Sequence, residues 1–323
     1  MKKIFYWKRI IQAYVLRSNS QLTFWHESPE VNIDFKTDDI GSYYMKFHQK
    51  ADYDSSCDMD GIPMLDYKGA IGPQYNPIAI AQWGLGNYNL WISTGSKKRY
   101  IKFIKSANWL VENLEENEFG LKVWMHKFDF EYRDTLKSPW YSGLAQGQGL
   151  SLLVRAYKET NEKEYENAIN EVIKSFKIDI YNGGVNYVDA NGFEWIEEYI
   201  VNPPTHILNG FIWALWGIYD YNILKKDNSS EKMIKKYLET LENNLENYDL
   251  RYWSKYELSN KSIPMIASPF YHKLHIIQLD IMYRLTKKNI FYNYQKKWIT
   301  QQKNSIYKFM SIVHKSIFKV LYY

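Results

Sequence analysis

Four apolar stretches recur along the chain, at residues 77–90, 143–157, 206–219 and 272–285. Their equivalent positions Gln82, Gln146, Asn209 and His275 stand 64, 63 and 66 residues apart. Each stretch is shorter than the roughly 20 apolar residues that span a bilayer and too apolar all round for a helix wet on one side, so each predicts a buried helix. Amphipathic stretches follow the first three. At 231–248 the apolar positions are Met233, Ile234, Tyr237, Leu238, Leu241 and Leu245, three or four apart with Lys and Glu between them, and 97–114 and 162–178 repeat the pattern. An inner apolar helix paired with an outer amphipathic one, repeated at this interval, predicts a mainly α chain: an incomplete (α/α) toroid of about four helix pairs with its site in the central cleft.

The interval exceeds two helices, and aromatic, alternating stretches fill the remainder. Residues 119–132 and 184–198 read as rim β-hairpins, the second turning at Asn191-Gly192. Asn202 before Pro203 and Pro204 reads as the entry of the third inner helix. Strand-like runs at 22–25 and 43–47 suggest a small β-rich N-terminal part over 1–60, ahead of a catalytic ring over 61–302. Residues 303–323 carry a stripe of Ile306, Phe309, Met310, Val313, Ile317 and Leu321 flanked by Lys303, Lys308, Lys315 and Lys319. That basic amphipathic helix is expected to pack its stripe on the ring, the other option being an anionic membrane surface or a partner in a biosynthetic complex.

Composition narrows the setting. A single cysteine, Cys57, excludes an intrachain disulfide and favours the cytoplasm. The basic, aromatic start (Lys2, Lys3, Tyr6, Trp7, Lys8, Arg9) runs into Gln12 and Arg17 rather than a signal-peptide core, so no export signal is read. A net charge of +5 suits an acidic partner, yet the basic residues are dispersed and no nucleic-acid signature interleaves them with aromatics. Ser56, Asp58, Asp60 and Gly61 imitate the start of a calcium loop, but Tyr67 stands where its bidentate glutamate belongs. His206, His272 and His275 lack a spaced carboxylate, so neither a metal nor any other cofactor is expected. Trp83, Trp124, Trp140 and Trp195 read first as core, with sugar stacking as the alternative.

Five ordered blocks carry a resemblance. They are YNPIAIAQWGLGNYN at 75–89, WYSGLAQGQGLSLLVRAY at 140–157, WIEEYIVNPPTHILNGFIWALWGIYD at 195–220, YDLR at 248–251 and YHKLHIIQL at 271–279. Over about residues 62–300 the chain resembles the C-terminal catalytic domain of D-glucuronyl C5-epimerases, which convert glucuronate to iduronate in heparan-type glycans. The resemblance implies an (α/α) ring, proton-transfer roles for Glu198, Tyr199, Tyr248 and Tyr271, and a place for Arg251 at the uronate. The N-terminal part is much shorter than in the animal enzymes, which leaves their calcium site and dimer arrangement outside the comparison, a homodimer being one option here.

The residue types suit that chemistry. Inverting C5 means removing a proton α to a carboxylate and returning it on the opposite face, so two proton-transfer groups must flank the ring and a cation or donors must neutralise the carboxylate in a dry site. Glu198 is assigned to one face and Tyr271 to the other, with Tyr199 and Tyr248 as donors or relay. Burial should raise Glu198, and Arg251 should lower a tyrosine. Gln146, Asn209 and Arg155 are further candidates for lining the cleft. Strand alternation would place Tyr199 with Glu197 and opposite Glu198, so the strand must end or twist there. The expected function is uronate C5-epimerisation on an acidic polysaccharide or its precursor. The alternatives are a polysaccharide lyase, a silent glycan-binding protein, or a glycoside hydrolase built on Glu198 with Asp249.

Overall fold

The chain is described by a computed structural model at residues 24–67, 71–132 and 135–322. The basic start and Leu22 fall outside these residues. Four helical hairpins organise the rest: α1 (Pro77–Thr94) with α2 (Lys97–Glu112), α3 (Gly143–Thr160) with α4 (Lys163–Ser175), α5 (Leu208–Lys225) with α6 (Asn228–Asn244), and α7 (Pro269–Thr286) with α8 (Asn289–Lys303). In α1, α3 and α5 nearly every residue of the first three turns is buried, whereas α2, α4 and α6 bury one stripe each. Consecutive inner helices pack on one another and each outer helix packs behind its partner. This is the expected incomplete (α/α) toroid.

Local capping sets the start of three of the four inner helices. Asn76 accepts from the N–H groups of Ile78 and Ala79 with Pro77 at the first position, Ser142 accepts from Ala145 N, and Ser268 accepts from Tyr271 N after Pro269. The last of these fixes Tyr271 in the first turn of α7. The fourth, α5, has no side-chain cap, and its N-cap is Ile207. Asn202, Pro203 and Pro204 therefore lie in the approach to α5 and not at its entry. The backbone there is held from outside, because Glu197 accepts from the N–H groups of Thr205 and His206 at 3.3 and 3.1 Å.

Short strands form the rim. β1 (Leu65–Asp66) pairs with β2 (Pro73–Gln74), and β5 (Phe130–Glu131) with β6 (Thr135–Leu136). β3 (Leu114–Glu116), β4 (Lys122–His126) and β7 (Trp140–Tyr141) make a three-stranded sheet with β4 central. The hairpin expected over 119–132 is thus displaced: its strand β4 pairs upstream with β3 and downstream with β7, and Asn117 closes the turn by accepting from the N–H groups of Phe119 and Leu121. The second hairpin is present, β8 (Asn186–Val188) against β9 (Glu194–Ile196) with Tyr187 opposite Trp195. Its loop is longer than two residues, closed by Asp189, and carries Gly192 at φ +82°.

Two expectations change. Residues 24–60 contain no strand: Phe24 and Trp25 are helical, and Met45 makes one isolated bridge with Val31. The aromatics read as alternation are buried one after another, Tyr43 and Tyr44 packing together against Trp216 of α5. The C-terminal helix α9 (Ser305–Tyr322) does pack on the body, but through the opposite face from the one expected. Ser311 and Phe318 are its buried residues, while Ile306 is 69% and Phe309 68% exposed and Ile317 and Leu321 also face out.

Candidate active site

β9 ends at Ile196, and alternation then sends the next side chains apart. Glu197, fully buried, turns toward the approach to α5, where it pairs with His206 Nδ1 at 2.5 Å. Glu198, also buried, turns the other way and stands over the first turn of α5, with Asn209 Nδ2 3.4 Å from its Oε2. Gly210 makes room for it, since a Cβ there would lie 2.2 Å from that oxygen. Tyr199 continues into an aromatic wall, its ring 4.5 Å from that of Tyr132 and 5.7 Å from that of Trp140.

Around Glu198 the phenols gather. Tyr256 packs edge-on against Tyr271 with ring centres 4.9 Å apart, and both Tyr256 and Tyr199 lie close enough to Glu198 and Tyr271 to feel their charges. Beside Tyr256, Glu257 is buried, with one oxygen taking the hydroxyl of Tyr132 and the other unpartnered among the described residues. Tyr248 is buried at the edge of this group and donates to the carbonyl of His206 at 2.5 Å.

Burial governs the protonation states. It pushes the Glu198 carboxyl up to about 8, against a downward pull from the hydrogen bond with Tyr199 and with further upward pushes from Glu257 and Glu197. Near neutral pH this is a carboxylic acid about to lose its proton, the condition that suits general acid/base work. Burial likewise holds the phenols of Tyr199, Tyr256 and Tyr248 well above their ordinary value. The expected lowering of a tyrosine by Arg251 is not found for Tyr199 or Tyr248, because desolvation dominates both.

Glu198, Tyr199 and Tyr271 share one cluster, with Tyr248 at its margin. Arg251 sits on an exposed turn at φ +68°, and its guanidinium has no hydrogen-bond or ion-pair partner among the described residues. Arg155 is committed elsewhere, to Asp220 at 2.6 Å in a fully buried pair. Gln146 spends its amide on Ser142 O and Trp124 N, and Asn209 touches Glu198 while its backbone carbonyl accepts from Gln278. Trp140 borders the site. Trp83, Trp124 and Trp195 are core. Asp58 is occupied by Asp60 N, Ile62 N and the Tyr75 hydroxyl, and no cluster among the described residues suits a metal.

The model of the D-glucuronyl C5-epimerase C-terminus family matches residues 117–300. The chain belongs to that family. It is 31% identical over 212 residues to the D-glucuronyl C5-epimerase of Caenorhabditis elegans, covering 61% of this chain and 34% of that protein, so the match spans about a third of that relative. An uncharacterised protein of Methanocaldococcus jannaschii is 27% identical over 212 residues, 62% of this chain and 67% of its own. Among solved structures, the unsaturated glucuronyl hydrolase of Bacillus sp. GL1 superposes with a TM-score of 0.47 at 13% identity, over 69% of this chain and 61% of the hydrolase. The cellobiose 2-epimerase of Spirochaeta thermophila gives 0.47 at 12% identity, over 79% and 65%.

Within the family span, sequence reasoning missed Tyr132, Tyr256 and Glu257. One signal pointed to the last two: Tyr256-Glu257 is the reverse of Glu198-Tyr199, a second adjacent phenol and carboxyl. Tyr132 gave none, being one of 29 tyrosines.

Proposed function

We propose that the chain is a uronate C5-epimerase acting on a glucuronate-containing polysaccharide or its precursor. The observation that carries this reading is a buried carboxyl with its proton affinity raised toward neutrality, facing a cluster of phenols. In this reading Glu198 takes the C5 proton as a carboxylate and Tyr271 returns one from the opposite face. Tyr199 steadies the Glu198 carboxylate through their hydrogen bond, and Tyr256 packs against Tyr271 within electrostatic range of Glu198. Tyr248, committed to the His206 carbonyl, holds the approach to α5. The phenols enter neutral, as donors. A rim groove of about 300 Å³, lined by Phe119, Trp140, Tyr141, Tyr181 and Ile200 beside Tyr199, offers aromatic faces to the flanking sugars. As part of the same reading, the exposed apolar face of α9 rests on an anionic membrane surface.

Incubation with heparosan or N-sulfated heparosan in deuterated water, followed by NMR, tests the chemistry. The expected result is deuterium at C5 together with iduronate. An ultraviolet-absorbing unsaturated uronate would make the protein a lyase, and new reducing ends a hydrolase. Binding without exchange would leave a glycan-binding protein.

A further inference from the structure

The rim groove beside Tyr199 is built on two large rings that the fold leaves open to solvent and yet holds still. Phe119 is 50% and Tyr181 55% exposed. Buried Asn117 fixes the turn of Phe119, accepting from its N–H at 3.0 Å, and donates from its side chain to the Gly183 carbonyl at 2.8 Å. Gly183, at φ +87°, lies under Phe119, since a Cβ there would come 2.6 Å from the Phe119 Cβ. The backbone of Tyr181 is set by Asp179, which accepts its N–H at 2.9 Å, and its hydroxyl donates to Asn202 at 3.4 Å. Exposed aromatics on a braced backbone lose little freedom when a ligand covers them. The inner end of the groove meets the site, because its lining includes Trp140, whose ring is 5.7 Å from that of Tyr199, and Ile200, the next residue after Tyr199.

The charge of the groove is one-sided. Among the described residues that line it, Glu118 is the charged one, and no lysine or arginine faces it. Glu118 is exposed and has no ion-pair partner among the described residues. Its charge is felt at the wall of the groove, where burial and then Glu118 push the Tyr141 phenol up to about 12, against a hydrogen bond from Asn117. Lys137, which follows the lining residue Leu136, is spent on Asp129 at 2.6 Å. The faces of aromatic rings are themselves negative. A sulfated amino sugar laid in this groove would bring its anion against a carboxylate and ring faces with no cation to meet it. An N-acetyl group carries no charge and offers a methyl to the same rings.

We propose that this groove is a subsite for the uncharged, N-acetylated hexosamine next to the reacting uronate, so that the protein takes its polymer before sulfation of that hexosamine and not after it. This rests on the uronate reading above. It places the reaction upstream of any sulfotransfer to the amino sugar.

The test measures binding and C5 exchange with heparosan oligosaccharides and N-sulfated heparosan oligosaccharides of equal length. Wild type should have a KM about tenfold lower for the unsulfated form, the size of a like-charge contact in a half-exposed setting. Glu118→Lys should erase or reverse that preference. Phe119→Ala with Tyr181→Ala should raise KM for heparosan at least tenfold with kcat within about twofold, and Phe119→Trp with Tyr181→Phe should restore it. All three side chains are exposed, and unchanged circular dichroism checks that the variants fold. Equal use of the two oligosaccharides by wild type, preference for the sulfated one, or a preference that Glu118→Lys leaves unmoved overturns the proposal. Preferential binding of heparosan that depends on Phe119 and Tyr181, with no deuterium at C5, sinks the epimerase reading alone and leaves the groove as a hexosamine site.

Discussion

At the scale of single residues, Glu198 decides most. Its folded-state value of about 8 exceeds the ordinary 4.5, so the folded protein holds a proton that the unfolded chain releases between those values. Stability therefore falls as pH rises from 4.5 to about 8, by about 1.4 kcal/mol for each unit over which only the folded state is protonated. Glu198→Gln should remove this slope, measured as urea midpoints across pH, while reducing C5 exchange by 10²-fold or more. An unchanged slope would mean that Glu198 titrates normally. Gly210→Ala separates position from chemistry. In an exposed helix interior, alanine stabilises by about 0.5–1 kcal/mol over glycine. Here its methyl would meet Glu198 Oε2 at 2.2 Å, so the expected outcome is at least hundredfold slower exchange with helical circular dichroism retained.

At the scale of elements, the inner helices touch through backbone. Gly147 of α3 and Gly217 of α5 leave no space for side chains between them, a Cβ on Gly217 falling 2.3 Å from Gly147 O. One turn or two further along, Arg155 and Asp220 tie the same helices, with Tyr44 donating to Asp220 and Gly41 O accepting from Arg155. Breaking such a pair strands a buried charge, so Arg155→Met should cost about 3–5 kcal/mol by urea denaturation, and adding Asp220→Leu should recover most of it. A small effect of Arg155→Met would show the pair to be solvated. Much of this level was legible beforehand. The inner helices begin at or within a few residues of their apolar stretches, and Asn76, Ser142 and Ser268 mark three starts. The start of α5 was misplaced because Glu197, a long-range partner, holds the backbone after the prolines. Tyr43 and Tyr44 looked like strand because adjacent aromatics buried on a helix bundle and alternating aromatics in a sheet leave nearly the same trace. Glu198 and Tyr199 stood out as an adjacent pair, whereas Tyr132 reaches the cluster through a rim strand, and no periodicity reports such convergence.

At the scale of the whole molecule, charge and apolar surface meet at one end. After Asp280 the chain has nine lysines and arginines and no acidic residue. No helix among the described residues is long and apolar enough to cross a membrane. Yet Ile306, Phe309, Ile317, Val320 and Leu321 stand 47–69% exposed on α9, with Lys303 and Lys308 exposed near them. Scattered exposed apolar residues need no explanation, but a contiguous row on a basic helix matches what lies in the plane of an anionic bilayer. The opposite face of the same helix carries Lys315 and Phe318 against the loop of Tyr256 and Glu257, so the membrane contact proposed above and the packing against the site would fall on different sides of one element. Co-sedimentation should therefore show binding to vesicles containing phosphatidylserine and little to phosphatidylcholine alone, weakening as salt is raised. Phe309→Ser with Ile317→Ser should abolish sedimentation while C5 exchange on a soluble polymer stays within about twofold of wild type, as expected for residues away from the cluster. Equal binding to neutral and anionic vesicles would remove the electrostatic half of this argument, and no binding to either would remove the membrane as the occupant of that face.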